Sequence, residues 1–295
     1  MLYLVDSSIY IFRAWQTLPD SIENTLGEPA NAVIGFADTL ARIIQDEQPT
    51  HLVCAFDQNL GKGARKKIYP EYKANRPPAP PDLAIQFKRC FELAKLFGIP
   101  AFGSGEVEAD DIIGSFSQLA HKRKKPVTIV SADKDLAQFI RNGDTYWNFA
   151  KKLKLSEKDL RNQFKAETTQ IADLLAICGD KVDNIPGVPG VGMATAARLL
   201  KKWGTIDNML AEPAKIADMK FRGAPRIAGL IEEHADTIRL ARQLTGLIHD
   251  DTLPTTLTAL QFKPPTHTTL ISSLIKAGFS EQRSESLAKR VCKRP

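Results

Sequence analysis

The sequence predicts an α/β fold with a mainly parallel central sheet, followed by a helical region, on three observations. Through the first 150 residues, short apolar runs typical of buried strands alternate with stretches of helical periodicity. Three of those runs end at an aspartate. Beyond about residue 167 the β-type runs cease, and helical patterns separated by glycine-bearing turns take over. Strands spaced by helices of this length build a doubly wound sheet with helices on both faces.

The elements follow in order. Leu2–Val5 is the first strand, and the spacing of Val33, Ile34, Phe36, Leu40, Ile43 and Ile44 predicts a helix from about Asn31 to Asp46. His51–Phe56 is the second strand. A helix starts near Asp82, and another runs from about Glu108 to His121. Val127–Val130 and Asp144–Phe149 read as further strands. A basic, weakly patterned stretch over 150–167 marks the change of texture, giving domains of 1–165 and 166–288 and a basic tail over 289–295. In the second half Thr169 is placed to cap a helix that Gly179 ends, and a turn over 185–192 leads into a helix closing at Trp203 and Gly204.

Composition narrows the class. The 295 residues are 43% hydrophobic and 25% charged, which excludes disordered, collagen-like and coiled-coil chains. Forty Lys and Arg against 34 Asp and Glu leave +6, a balance that permits a polyanionic partner. Cys54, Cys90, Cys178 and Cys292 lie far apart and form neither a disulfide framework nor a zinc cluster. The N-terminus has no basic signal-peptide region, and no apolar stretch is long enough to span a bilayer, so a cytoplasmic protein with no membrane partner is expected.

The acids carry the chemistry. Asp6, Asp57 and Asp133 each follow a predicted parallel strand, and the carboxyl edge of such sheets is where ligands bind. Asp135 follows closely, Glu108, Asp110 and Asp111 open a helix, and Asp180 and Asp183 begin the helical half. Any one of them has an ordinary explanation as a helix-dipole or turn residue. Gathered at one edge they repel one another, and a bound divalent cation relieves that repulsion. Only oxygens are offered and the five histidines show no ligand spacing, so Mg²⁺ or Mn²⁺ is favoured over zinc.

Between Asp57 and Asp82 lie about 24 residues without clear periodicity, and residues 61–76 hold six basic side chains against one acid. Lys62, Arg65, Lys66, Lys67, Lys73 and Arg76 are interleaved with Tyr69 and Tyr72, a composition suited to tracking a nucleic-acid backbone and stacking on its bases. Acids for metal beside cations for phosphates fit two-metal phosphodiester hydrolysis. Gly187, Gly190 and Gly192 form a turn at a helix start that suits a duplex phosphate, with Lys201 and Lys202 adding charge.

These residues stand in motifs that resemble a known family. Leu-Val-Asp-Ser-Ser8, Tyr-Pro-Glu-Tyr-Lys-Ala-Asn-Arg-Pro-Pro78, Val-Glu-Ala-Asp-Asp-Ile-Ile-Gly114, Ser-Ala-Asp-Lys-Asp135 and the run from Gly179 to Gly192 are similar, in order, to the 5′-nuclease domain of bacterial DNA polymerase I and to the flap endonuclease superfamily. The resemblance covers about residues 1–280, without polymerase or proofreading domains. It implies a PIN-like three-layer domain with a helical arch over about 58–82, then a helix–three-turn–helix domain. It places the nine acids at metal-ligand positions, the earlier ones around one ion and Asp133, Asp135, Asp180 and Asp183 around a second. Lys73, Arg65, Tyr72 and Arg76 fall on the arch, where lysine and arginine meet the scissile phosphate. The glycine hairpin matches a duplex-binding element with K⁺ on its carbonyls. The chain departs at Ala64, where relatives carry phenylalanine.

The function implied is that of a Mg²⁺-dependent 5′→3′ exonuclease and flap endonuclease, with two or more ions and Mn²⁺ as a substitute. Its implied substrates are DNA 5′ ends, flaps and branches. A monomer in the bacterial cytosol or nucleoid, linked functionally to a polymerase and a ligase, completes the expectation. The rival readings are a silent branched-DNA-binding protein and a PIN-type ribonuclease.

Overall fold

The computed structural model describes residues 1–58 and 62–292; Gly61 of the basic segment and Lys293 and Arg294 of the tail lie outside the described residues. Six strands form one sheet: β1 (Leu2–Asp6), β2 (His51–Asp57), β3 (Ala101–Ser104), β4 (Val127–Val130), β5 (Thr145–Asn148) and β6 (Leu153–Leu155). Their order is β3-β2-β1-β4-β5-β6, and all pairings are parallel except β5 with β6. The chain steps outward from β1 to β3, then returns to lay β4 on the other side of β1. The carboxyl edge between β1 and β4 is therefore the point at which the winding reverses, where such sheets leave a crevice.

Strand alternation divides the core into two layers. Leu2, Leu4, Val53, Ala55 and Ile129 face one side, and Tyr3, Val5, Leu52, Cys54 and Phe56 the other. Helices α1 (Ser7–Thr17), α2 (Asn31–Glu47), α3 (Ala64–Ile68), α4 (Pro81–Leu96) and α5 (Ala109–Lys122) accompany the strands. Helix α5 buries Ile112, Ile113, Phe116 and Ala120 against the first side; α1, α2 and α4 cover the second. The sequence reading missed α1, which starts directly after β1, and β3, whose half-buried Ala-Phe-Gly-Ser has no β pattern.

The second half is helical: α6 (Glu157–Phe164), α7 (Ile171–Cys178), α8 (Met193–Trp203), α9 (Ile206–Ala211), α10 (Ala224–Glu233), α11 (Ala235–Thr245), α12 (His267–Lys276) and α13 (Glu281–Val291). Two local expectations are corrected. Thr169 lies inside a 3-10 turn over Thr168–Gln170 and caps nothing, whereas Gly179, at φ 75°, does end α7. Lys289 and Arg290 belong to α13, not to a basic tail beyond the second domain. Ala288 and Val291 are buried on the second side of the sheet, and Arg290 bonds Asp38 at 2.7 Å, because the amphipathic α13 returns to pack on α2.

Candidate active site

The strand ends bring the first acids together. Asp6 ends β1 at the start of α1 with no capping bond of its own, 5% exposed, and accepts from Ser131 Oγ at 2.8 Å just beyond β4. Asp57 ends β2 and accepts from the Ala109 N–H at 2.8 Å, which ties it to the first turn of α5. That same turn carries Glu108 and Asp110. Asp133 caps the 3-10 turn over Lys134–Phe139 by accepting from the Asp135 N–H at 2.9 Å.

The carboxylates perturb one another. Burial, then the charge of Asp57, pushes Asp6 up to about 7 against the opposing Ser131 bond. Burial raises Asp110 well above the carboxylate range, with Asp133, Asp6 and Asp57 adding to it. Asp133 is raised by burial and by Asp183 and Asp180, and Asp135 reaches about 8 through burial, Asp133 and Asp180. Asp133 thus neighbours both the strand-end acids and those of the helical half. The loop bearing the latter is closed by paired backbone bonds between Asp180 and Ile185, at 3.0 and 2.7 Å. Gly187 makes room for it: a Cβ there would stand 2.3 Å from the Gly179 nitrogen and 2.4 Å from the Cys178 carbonyl carbon.

Cations of the basic segment face these acids. Lys73 Nζ lies 2.9 Å from Glu108 Oε2 and 3.6 Å from Asp183 Oδ2, and Arg76 bonds Asp183. Burial works against the Lys73 charge, but Glu108, Asp183 and Asp57 outweigh it and hold the ammonium above its ordinary value. Tyr72 donates its hydroxyl toward Glu108 at 2.9 Å and Asp183 at 3.1 Å.

Three expectations need correction. Arg65 does not face a phosphate: it is 7% exposed and locked on Asp111 at 2.5 and 2.8 Å, with further bonds to the Leu244 and Gly246 carbonyls at 2.7 and 2.9 Å. Asp111 is likewise no free ligand, since it also accepts from the N–H groups of Glu108 at 3.1 Å and Ile248 at 2.9 Å. A carboxylate holding a bidentate arginine and two amides has no lone pair left to face an ion. Tyr72, only 3% exposed, is a core residue and not a stacking platform, and Tyr69 packs half-buried on the same core.

Of the remaining candidates, Lys66 bonds the Pro70 carbonyl, Lys67 pairs with Glu106, and Lys62 is exposed. Gly190 is exposed at φ 76° with the Arg226 guanidinium alongside; Gly192 precedes α8, whose last turn exposes Lys201 and Lys202. Sequence reasoning missed Ser131, although a hydroxyl directly after a strand and two residues before an aspartate was a visible signal. Arg226 gave none, lying more than 30 residues from the hairpin it flanks.

The residues suit a hard divalent cation. All donors are carboxylate oxygens, they disfavour one another's ionisation, and the buried Oδ1 of Asp135 has no hydrogen-bond partner. Among the described residues no three such side chains converge in coordinating geometry, and Glu108 and Asp183 are engaged by Lys73 and Arg76. A stability prediction follows. Asp6 and Asp135, at about 7 and about 8, hold protons that the unfolded chain releases near pH 4. Folding of the chelator-treated protein should weaken as pH rises from about 4 to 8. Thermal melting should show a lower midpoint at pH 8 than at pH 5, with Mg²⁺ restoring it at pH 8.

Comparison with known proteins agrees with this architecture. Residues 1–165 match the model of the 5′-3′ exonuclease N-terminal resolvase-like domain, and residues 166–268 that of the 5′-3′ exonuclease C-terminal SAM fold. A 5′-3′ exonuclease of Aquifex aeolicus is 38% identical over 209 residues, 71% of this chain and 72% of that one. DNA polymerase I of Rhizobium leguminosarum is 36% identical over 286 residues, 95% of this chain but only 28% of the polymerase. The solved bacteriophage T5 D15 flap endonuclease, in a pseudo-enzyme-product complex with DNA and metal ions, covers 99% of both chains at 19% identity and a TM-score of 0.67, a likeness of fold. With both halves matched in order and a relative of comparable length at this identity, the chain belongs to the 5′-3′ exonuclease family.

Proposed function

We propose that the protein is a Mg²⁺-dependent 5′→3′ exonuclease and flap endonuclease acting on DNA. One observation carries this reading: Lys73 and Arg76 pair with Glu108, in the α5 turn that is tied to the strand-end Asp57, and with Asp183 of the helical half. Asp6, Asp57, Glu108, Asp110 and Asp133 would hold one ion, and Asp133, Asp135, Asp180 and Asp183 a second. Such ions activate water and stabilise charge on the attacking and leaving oxygens. Lys73 and Arg76, which pair with Glu108 and Asp183 here, would be free to meet the transferred phosphate once those carboxylates served an ion. Gly187, Gly190 and Gly192 seat the duplex, with Arg226 beside them; K⁺ at this hairpin rests on the family resemblance alone. The protein works as a monomer in the cytosol or nucleoid, on DNA ends that a polymerase and a ligase also handle.

A labelled 5′-flap DNA and its RNA counterpart, incubated with Mg²⁺ or with chelator, test the reading. Cleavage of DNA only, and only with the ion, is expected; RNA cleavage would mark a ribonuclease, and binding without cleavage a silent recognition protein. Lys73→Ala should lower the single-turnover rate by about 10²–10³-fold, the scale of losing a preorganised charge at a reacting oxyanion. Its DNA affinity should stay within a few-fold. Equal losses in rate and affinity would reduce Lys73 to simple phosphate holding.

A further inference from the structure

Two asparagines join the arch to the loop that carries Asp180 and Asp183. Asn184 Nδ2 donates to the Glu71 carbonyl at 2.7 Å, and Asn75 Nδ2 donates to the Lys181 carbonyl at 2.8 Å. Between them the Lys73 N–H donates to the Asp183 carbonyl at 2.9 Å. The contacts run both ways, two from arch to loop and one from loop to arch. Lys73 and Asn184 both sit in the left-handed region at φ 54°. Asparagine adopts that conformation readily and lysine does not, so the surroundings must hold Lys73 in it. The loop itself is closed by its Asp180–Ile185 bonds and by the Val182 N–H on Asp180 Oδ1 at 2.7 Å.

The ion pairs across this junction cannot set its geometry during turnover, because Lys73, Arg76, Glu108 and Asp183 must exchange partners for phosphate and metal. Amide-to-carbonyl bonds carry no net charge and use no group that the chemistry needs. We infer that Asn75 and Asn184 are positioning residues, a reciprocal amide latch that sets the arch cations against the second group of acids before DNA arrives. The inference rests on the nuclease reading above and adds to it the device that keeps its two halves in register.

The test uses Asn184→Gly, which removes the amide while tolerating φ 54°, together with Asn75→Ala and the double variant, all in the full chain. Each single change should slow single-turnover cleavage of the 5′-flap DNA about 10-fold, short of the 10²-fold that ångström-scale misplacement costs. The double variant should lose less than the product of the two, since one junction is shared. The Mg²⁺ concentration for half-maximal rate should rise several-fold, while flap affinity in chelator and the melting midpoint stay near wild type. A merely structural role would move the midpoint and leave the Mg²⁺ requirement alone.

Amide hydrogen exchange over residues 71–76 and 180–185 separates this inference from the nuclease reading. Faster exchange is expected in the double variant whether or not the parent cleaves. A parent that fails to cut any flap sinks the nuclease reading only. Unchanged exchange, or an active double variant with wild-type rate and Mg²⁺ requirement, overturns the latch.

Discussion

Asp133→Asn is expected to abolish flap cleavage, by about 10³-fold or more in single-turnover rate, while making the metal-free protein more stable. The two effects share one cause. Asp133 is the acid that neighbours both groups, and its raised pKa reports burial together with repulsion from Asp183 and Asp180. Asparagine keeps the oxygen that caps the following turn on the Asp135 N–H, so the local fold survives. It loses the charge that either ion would need, and with it the repulsion. Activity falls and stability rises, the usual sign of a site held together against its own electrostatics. Flap affinity in chelator should hold or tighten, because one negative charge has left the phosphate's path. A variant that cuts at a tenth of the normal rate, or that melts well below the parent, would show that Asp133 serves the fold and not the reaction.

Asp111→Ala should behave in the opposite way, as a stability lesion. It strands the Arg65 guanidinium, buried among the Leu244 and Gly246 carbonyls, and leaves the Glu108 and Ile248 N–H groups without their acceptor. Breaking a buried pair from one side costs about 3–5 kcal/mol. For a chain of this size that corresponds to a fall of roughly 5–8 °C in melting midpoint. In the parent the Asp111 hydrogen bond and the charges of Asp111 and Glu108 outweigh the burial of the Arg65 guanidinium; in the variant it stays charged all the same, because a guanidinium does not lose its proton in a protein. Denaturant unfolding in chelator reads the effect, and the pair Arg65→Met with Asp111→Leu should recover part of it. A loss under about 1 kcal/mol in Asp111→Ala would return Asp111 to the set of metal ligands.

Most of the sheet was legible because buried parallel strands are short apolar runs and their carboxyl ends carry the acids: Asp6, Asp57 and Asp133 all sit where strand periodicity placed them. The basic segment was equally plain as a run of charge. What the residues could not reveal was partnership. Asp110 and Asp111 are adjacent on one helix turn, yet one joins the acid cluster and the other turns inward to an arginine. Arg65 and Lys73 read alike as arch cations, and only packing shows that the first is buried among contacts to residues 244–248. Tyr72 misled in the same way, because a tyrosine among lysines has the composition of a stacking site and here has the burial of a core residue. Periodicity reports which face is apolar; it is silent on which of two neighbouring charges crosses that face.

The Arg65 cluster also bears on how the chain is made. Its carbonyl and amide partners at residues 244–248 are synthesised roughly 180 residues after the arginine itself. At about 5–20 residues per second that is an interval of roughly 10–40 s during which the partners at residues 244–248 do not yet exist. The burial of this pair is complete only once residues 244–248 are in place, so the two regions, though separable by pattern, are expected to unfold in denaturant as one cooperative transition.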